Sequence, residues 1–332
     1  MSADTHTPDV PEVPKVPELS EVPGIPEVPD ALTAPLDSYD TDAHDSHDSH
    51  GPHTTAQRNR ATFVVQIVVF VFIGLLFLVP FWAIFVGTFQ PGNMLIRNGL
   101  NLGIDFSQAS FDNYVMLFTN SGSYFRWFAN SLLITVLQTV GTLLVSSFIA
   151  YGFAMYEFRF KTALFVCVLV ILTIPFEMLM LPLYIQINGM HLSDSYFGII
   201  LPFLASATTI FFFRQYLRGI PRDIIEAGRI DGVTEFGIFF RLVLPLMKPA
   251  LAAMAILNAM ASWNNFLWPL LVLRSPDKYT LPIGLNTLLT PYGNNYSLLI
   301  IGSFFSLIPI LILFFIFQKF FIEGMTAGAV KG

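Results

Sequence analysis

Six long apolar runs constrain this chain more than any other feature of its sequence. Each run has roughly 20 residues, the length that an α-helix needs to cross the ~30 Å hydrocarbon core of a bilayer. None alternates polar and apolar residues as a strand of an outer-membrane barrel does, so helices must satisfy the backbone in lipid. The predicted spans are Phe63–Gly87, Phe128–Phe153, Leu164–Tyr184, Ser195–Phe213, Pro249–Val272 and Ser297–Phe320.

Composition supports a membrane protein with a separate N-terminal tail. The chain is 54% hydrophobic and 12% charged, whereas soluble domains carry about 25% charged residues. Residues 1–57 hold twelve of the 23 acidic residues and repeat a Val-Pro-Glu theme. Such a segment cannot bury a core, and its prolines favour extended backbone. We therefore predict an all-α integral membrane protein, with a disordered tail over 1–57 and six transmembrane helices over 58–332.

Histidines recur at every third position near the end of the tail, at His44, His47, His50 and His53. Imidazole and carboxylate groups both bind metals, so weak metal binding is one hypothesis. A solvated, charged tail is the other, and we favour it and predict no metal site. Outside the tail, His191 is the single histidine, and no catalytic or phosphate-loop motif accompanies it. The sequence therefore indicates no enzyme.

The distribution of basic residues predicts the orientation in the membrane. With six spans, both termini lie on one side, and twelve lysines and arginines fall on that side against four on the other. Because cytoplasmic loops carry the excess of lysine and arginine, both termini are predicted to be cytoplasmic. The chain is then a multi-pass protein of the plasma, or inner, membrane.

A charged segment, Pro221–Pro245, separates the fourth and fifth spans on the predicted cytoplasmic side. Pro221 suits a helix start, and Gly232 divides two short helix-prone halves. Ile224, Ile225, Ala227 and Ile230 form a loose apolar face of the first half. We interpret the segment as a knob that docks a soluble partner. The alternative is a pair of helices lying on the bilayer, against which its four acidic residues count.

The motifs of this segment resemble a known family. Glu226-Ala227-Gly228, then Gly232, then Leu242-Val243-Leu244-Pro245 is similar to the EAA loop of ABC importer permeases, with Gly228 in place of alanine and Leu242 in place of isoleucine. Five internal motifs resemble the carbohydrate-uptake branch: Asn130-Ser131-Leu132, Ala150–Ala154, Ile174–Glu177, Leu181–Tyr184 and Trp263–Pro269. The ending Gly328–Gly332 resembles the C-terminus of the G subunit of maltose-type importers. The resemblance covers nearly all of residues 58–332.

This resemblance implies a type I permease fold and a role in binding-protein-dependent sugar import. The expected partners are a second, homologous permease in a heterodimer, two cytoplasmic ATPase subunits and an extracytoplasmic solute-binding protein, within membrane lipid and without nucleic acid. The chain itself would hold no cofactor, since ATP and Mg belong to the ATPase, whose hydrolysis drives alternating access. The residues implied in coupling to the ATPase are Glu226, Ala227, Gly228, Asp231, Gly232 and Pro245.

Polar and aromatic residues within the predicted spans are candidates for the substrate path. Carboxamides bind sugar hydroxyls and tryptophan stacks on sugar rings, so the candidates are Glu177, Asn258, Asn264, Asn265 and Trp268. The alternative for Glu177 is a carboxyl that lies near the outer interface or is protonated and hydrogen-bonded between helices. For the others the alternative is helix–helix hydrogen bonding or an interfacial anchor. Small and polar residues of the second and fourth spans are interpreted as packing residues, namely Gln138, Ser146, Ser147, Ala205, Ser206 and Ala207.

The outer loop before the last span is longer than a turn needs, which is typical of functional loops. By resemblance it would contact the solute-binding protein through Leu285, Pro291, Tyr292 and Asn294. A passive cap over the spans is the alternative. For the whole chain, the alternative function is a secondary, ion-coupled transporter. It is disfavoured because Glu177 has no neighbouring cluster of intramembrane acids and no convincing repeat is present.

Overall fold

The computed structural model describes residues 53–92, 94, 102–290 and 293–329. Residues 1–52, with most of the predicted tail, and Pro291 and Tyr292 of the outer loop lie outside the described residues. Contacts divide the chain into two units, Met1–Val65 and Gln66–Gly332, and all packing given below lies within the second. The first helix begins at His53, so the last five residues assigned to the tail are helical.

Helices account for most of the described residues. They are α1 His53–Gly87, α2 Asp112–Asn120, α3 Gly122–Met155, α4 Lys161–Ile171, α5 Phe176–Gly189, α6 Tyr196–Ile200, α7 Ala207–Leu217, α8 Asp223–Ile230, α9 Glu235–Leu246, α10 Lys248–Trp263, α11 Leu267–Val272, α12 Leu281–Asn286 and α13 Tyr296–Ala329. A 3₁₀ turn, Leu201–Phe203, extends α6, and Ile238–Val243 in α9 form a π-helix. Two short strands, β1 Leu289–Thr290 and β2 Gly293–Asn294, pair as an antiparallel hairpin.

The structure agrees with six spans when each bent helix pair counts as one. Three helical stretches are long and apolar enough to cross a membrane: Thr62–Gly87, Gly122–Met155 and Tyr296–Lys319. Three further candidates are pairs of helices bent by 107°, 42° and 78°: α4 with α5, α6 with α7, and α9 with α10. The predicted third and fourth spans were expected to be continuous helices, and the structure corrects this.

Local chemistry explains the breaks. Pro175 precedes α5 and has no N–H to continue the ladder of α4. The hydroxyl of Ser206 accepts a hydrogen bond from the Thr209 amide and caps α7. The helix of the predicted fifth span breaks at Asn264. The Asn264 carboxamide donates to the Met260 carbonyl at 2.9 Å, and this hydrogen bond competes with the backbone hydrogen bonds of the helix. The helix ends at Trp263, and the short α11 follows.

The long helix α3 organises the packing. It lies against α7, α10 and α12, while α10 also packs against α13. Apolar side chains of α1 beyond residue 66, such as Phe70 and Phe77, remain exposed, as do most of those on α4. Such exposed apolar surface is stable only against lipid or another chain. The arrangement is that of a membrane core built around α3.

Candidate functional site

The charged segment folds as predicted into two helices that meet at a glycine. Helix α8 ends at Ile230, Gly232 adopts a φ of +74°, and α9 begins at Glu235. This backbone conformation is one that side chains other than glycine rarely adopt. The hydroxyl of Thr234 caps α9 by accepting from the Gly237 amide at 3.2 Å. The glycine break is therefore a defined turn.

Burial separates the packing residues of the segment from its exposed ones. Ile225 and Gly228 are buried, and a Cβ at residue 228 would lie 2.9 Å from Leu242 Cδ1. Gly228 thus acts by letting α8 approach α9 closely, and it is not available to a partner. The other residues implied in coupling are exposed, namely Glu226, Ala227, Asp231, Gly232 and Pro245. Ile230, predicted to share one apolar face with Ile225, is instead 86% exposed.

An ion pair braces the turn between the two helices. Arg229 Nε donates to Glu235 Oε1 at 2.7 Å, and the hydroxyl of Tyr156 is hydrogen-bonded to the same carboxylate. The Arg229 guanidinium also lies 5.8 Å from the centre of the Tyr156 ring. The sequence predicted both charged residues as part of a docking surface. In the structure they instead pair with each other and with Tyr156 of the same chain. Nothing in the sequence placed Tyr156, 79 residues before Glu235, beside them.

The segment is joined to three spans through one apolar cluster. Ile225 of α8 and Phe239 of α9 are buried together with Tyr151 of α3, Phe213 of α7 and Met254 of α10. Protein interiors are close-packed and transmit displacement well. A force on α8 would therefore reach the ends of α3, α7 and α10.

A cavity of about 540 Å³ lies where helices break in the middle of the membrane spans. The start of α5, the start of α7 and the junction of α10 with α11 all border it. Its polar lining consists of Gln138, Glu177, Ser206, Thr208, Thr209, Asn258, Asn264 and Asn265. Four of the five predicted path residues therefore meet in one cavity. Gln138 and Ser206, interpreted from sequence as packing residues, also line it.

Hydrogen bonds hold several of these groups in place. Asn258 Nδ2 donates to Thr209 Oγ1 at 3.1 Å and to the Met254 carbonyl at 2.8 Å. Ser262 donates to Gln138 Oε1 at 3.2 Å. Glu177 is exposed to the cavity in the first turn of α5, where a carboxylate is favoured by the helix dipole. It is the one ionisable side chain among the lining residues that the structure describes.

Trp268 does not line this cavity. Its side chain is fully buried, and its Nε1 donates to the Gly198 carbonyl at 3.3 Å. The indole packs with Ile134, Ile199 and Val272 in a core cluster. The sequence predicted Trp268 on the substrate path, in the same helix as the asparagines. In the structure the chain breaks at Asn264–Phe266, and the Trp268 ring in the following helix packs in the core.

In the outer loop, the structure describes two of the four predicted contact residues. Leu285 is partly buried against the cluster of Tyr124, Leu281 and Leu298, so it packs within the chain. Asn294 is exposed, and it accepts from the Thr290 amide at 2.7 Å and donates to the Tyr296 hydroxyl at 2.6 Å. Asn294 is therefore engaged within the hairpin, and Pro291 and Tyr292 lie outside the described residues.

A carboxylate that sequence reasoning missed fastens the outer loop to the preceding one. Asp194 accepts hydrogen bonds from the Arg274 and Ser275 amides, the Ser275 hydroxyl and Lys278 Nζ, at 2.6 to 3.0 Å. Burial alone would raise the pKa of this carboxyl. The hydrogen bonds outweigh burial and hold the pKa of Asp194 well below its ordinary value. The signal in the sequence was an aspartate in a short, charge-poor loop.

We predict that Asp194→Asn lowers the stability of the chain at neutral pH by roughly 2 kcal/mol, the scale of lost charge-assisted hydrogen bonds. Since the folded-state pKa is depressed, the charge stabilises at neutral pH. This stabilisation declines below the ordinary aspartate pKa of about 3.9 and is lost as the pH falls through the folded-state pKa. Thermal unfolding of the purified protein measures the effect. Asp277→Asn, at an exposed site in the same loop, is the control, and an equal loss there would contradict the prediction.

Comparisons with known proteins agree on one family. The sequence model of a protein family, described as binding-protein-dependent transport system inner membrane component, matches residues 142–326 of this chain. The arabinooligosaccharides transport system permease protein AraQ of Bacillus subtilis (strain 168) is 54% identical over 263 residues, 79% of this chain and 94% of that protein. The lactose transport system permease protein LacG of Rhizobium radiobacter is 34% identical over 277 residues, 83% and 99% of the two chains.

A solved structure shares the fold. It is the crystal structure of a bacterial ABC transporter involved in the import of the acidic polysaccharide alginate, with a TM-score of 0.69 and 23% sequence identity. The match covers 80% of this chain and 98% of the other.

Proposed function

The chain belongs to the family of binding-protein-dependent transport system inner membrane components, and from this premise we propose that it carries neutral oligosaccharides as the permease subunit of an ABC importer. The cavity is the observation that supports this substrate class. Carboxamide and hydroxyl groups line it, and such groups bind sugar hydroxyls. The family also favours an importer over the ion-coupled transporter that the sequence left open.

Arabinooligosaccharides are the first substrates to test, because the relative at 54% identity is named for their transport. The importer would be assembled in vesicles with its second permease, its ATPase and its solute-binding protein. We expect uptake of labelled arabinooligosaccharide that requires ATP and the binding protein and is insensitive to an uncoupler. Uptake that follows an ion gradient without ATP would contradict the importer. ATP-driven uptake of other solutes alone would contradict the substrate class.

The exposed face of α8 is proposed as the contact with the partner ATPase. Glu226, Ala227 and Asp231 are exposed there, and Ile230 adds a large apolar side chain that nothing in the described chain covers. Gly232 supplies the turn and Gly228 the close packing that presents this face. Pro245 ends the segment beside the next span. ATP and Mg would be bound by the ATPase, whose closure would move α8 and the three spans joined to it.

The orientation and the partner permease are also proposals. The distribution of basic residues supports cytoplasmic termini and a cytoplasmic α8. The heterodimer is proposed from the resemblance to maltose-type importers, and the exposed apolar side chains of α1 leave a surface that lipid or a second permease would cover. Residues 1–57 would remain a solvated tail, since their acidic, proline-rich composition cannot form a core.

We propose that the outer hairpin contacts the solute-binding protein. Its rigid base supports this, because Asn130 Nδ2 donates to the Asp277 and Tyr279 carbonyls at 2.8 and 3.0 Å, and Asp194 holds the same loop. Shortening Thr290–Asn295 to two glycines is expected to lower both uptake and the ATPase activity that the loaded binding protein stimulates. Assembly with the permease and ATPase partners, measured by co-purification, should persist. If the loaded binding protein stimulates the ATPase activity of the shortened variant as it does that of the wild type, the loop is only a passive cap.

A further inference from the structure

A small basic pocket lies where the ends of α3 and α7 meet the start of α4. Its volume is about 230 Å³, and four cationic side chains line it, Lys161, Arg214, Arg218 and Arg222. One carboxylate, Glu157, faces them. The four cations outnumber the carboxylate, so the pocket suits an anion. The function proposed above does not use this pocket.

Glu157 does not neutralise the pocket, because it is engaged by only two of the four cations. Its Oε1 accepts from Lys161 Nζ at 2.9 Å and lies 3.8 Å from Arg222 NH2. The Lys161 hydrogen bond is the main reason that the pKa of Glu157 is below its ordinary value. Arg214 and Arg218 have no acidic partner in the part of the chain that the structure describes.

Arg214 and Lys161 are partly buried, whereas Arg218 and Arg222 are exposed. The guanidinium carbon of Arg214 lies 3.8 Å from the centre of the Phe165 ring, and its Nε is buried without a hydrogen-bond partner among the described residues. An unpaired buried N–H costs free energy unless an acceptor reaches it. A planar guanidinium matches the oxygens of a phosphate group, and aromatic stacking holds it in place for such contacts.

The pocket borders the exposed apolar surface of α4. Helix α4 begins at Lys161 and buries none of its side chains, and Leu164, one turn along, is 50% exposed. Phe165, under the Arg214 guanidinium, continues the apolar wall. A free phosphate would use only the cations. A molecule with a phosphate group and an acyl chain would use both the cations and the apolar wall.

We propose that this pocket binds the phosphate group of an anionic phospholipid of the cytoplasmic leaflet, with an acyl chain lying along α4. The proposal depends on the proposed orientation, in which these helix ends meet the leaflet that is richer in anionic lipid. Arg222 immediately precedes α8. A bound lipid would therefore connect the membrane surface to the segment that contacts the ATPase.

The test uses the complete importer complex, purified in detergent and depleted of lipid. Native mass spectrometry would follow binding of phosphatidylglycerol, of phosphatidylcholine with the same acyl chains, and of inorganic phosphate. We expect phosphatidylglycerol alone to bind. Arg214→Gln and Arg218→Gln should each weaken its binding roughly tenfold or more, the scale of one lost charge-assisted contact. Arg241→Gln, at an exposed site outside the pocket, should bind lipid normally.

Four outcomes would overturn the proposal. Equal binding by the wild-type complex and the Arg218→Gln variant would remove the pocket as the site, and Arg218 is exposed, so this variant should fold. Equal binding of phosphatidylcholine, or displacement of the lipid by inorganic phosphate, would show a site for another ligand. Loss of the ATPase from the Arg218→Gln complex with unchanged lipid binding would assign the pocket to an acidic surface of the ATPase. Because lipid binding is measured without transport, failure of the substrate proposal would not affect this result.

Discussion

Replacing Glu226 by lysine is expected to abolish ATP-driven uptake while the chain remains folded and inserted. The Glu226 carboxylate is exposed and makes no hydrogen bond or ion pair with the described residues. Within the chain, the reversal loses only a helix-dipole interaction of about 0.3–1 kcal/mol. The loss of function would therefore arise at the partner surface. Uptake in vesicles and co-purification of the ATPase measure the effect.

Two further variants sharpen this result. Asp112→Lys reverses a charge at an exposed position of α2, on the predicted outer side, and should transport normally. Ile230→Asn removes the apolar side chain that is 86% exposed and should weaken retention of the ATPase without destabilising the chain. Normal uptake by Glu226→Lys with the ATPase bound would contradict the proposed role of α8.

Filling the cavity with Ala261→Trp is expected to reduce sugar uptake to the level of vesicles that lack the complex. Ala261 borders the cavity of about 540 Å³ and is exposed to it, so an indole can enter without displacing the core. The added ring would occupy part of the cavity that Glu177 and Asn258 also line. Labelled sugar uptake measures the block, and co-purification of the ATPase should be unchanged.

Leu133→Trp provides the matched control for this block. Leu133 lies on α3 with 47% of its surface exposed, and it does not border the cavity. This variant introduces the same side chain in the same membrane region and should transport at the normal rate. Normal uptake by Ala261→Trp would show that sugar passes elsewhere, and the cavity would lose its proposed role.

The sequence was sufficient for features that depend on local chemistry. Six apolar runs and the glycine between two short helices were predictable, because run length and the conformational freedom of Gly232 are properties of neighbouring residues. Asn258, Asn264 and Asn265 were predicted to lie near one another because they are close in sequence, and they line one cavity although the helix ends at Trp263 between them. Motif similarity predicted a coupling role for Glu226 and its neighbours, and that role stays a proposal.

Features that depend on distant contacts were not predictable in this way. Asp194 holds Ser275 from 81 residues away, and Tyr156 reaches Glu235 across 79 residues. Trp268 was misplaced because the helix break before it changes the direction of its side chain. Helical periodicity placed Ile230 on one apolar face with Ile225, yet Ile225 is buried whereas Ile230, at the end of α8, is exposed. In each case the surroundings of the side chain depend on tertiary contacts, which local sequence patterns do not describe.

The broken spans also have a consequence for biogenesis. Helices α4, α5, α7 and α10 have 11, 14, 11 and 16 residues, and each is shorter than the ~20 residues that a single helix needs to cross the bilayer. Helix α3 has 34 residues and contacts both α7 and α10. The translocation machinery can therefore release α3 into lipid as a unit, whereas α7 and α10, which pack against α3, need it beside them before they are stable there. Membrane integration of the middle of this chain is thus a cooperative event that waits on its second span.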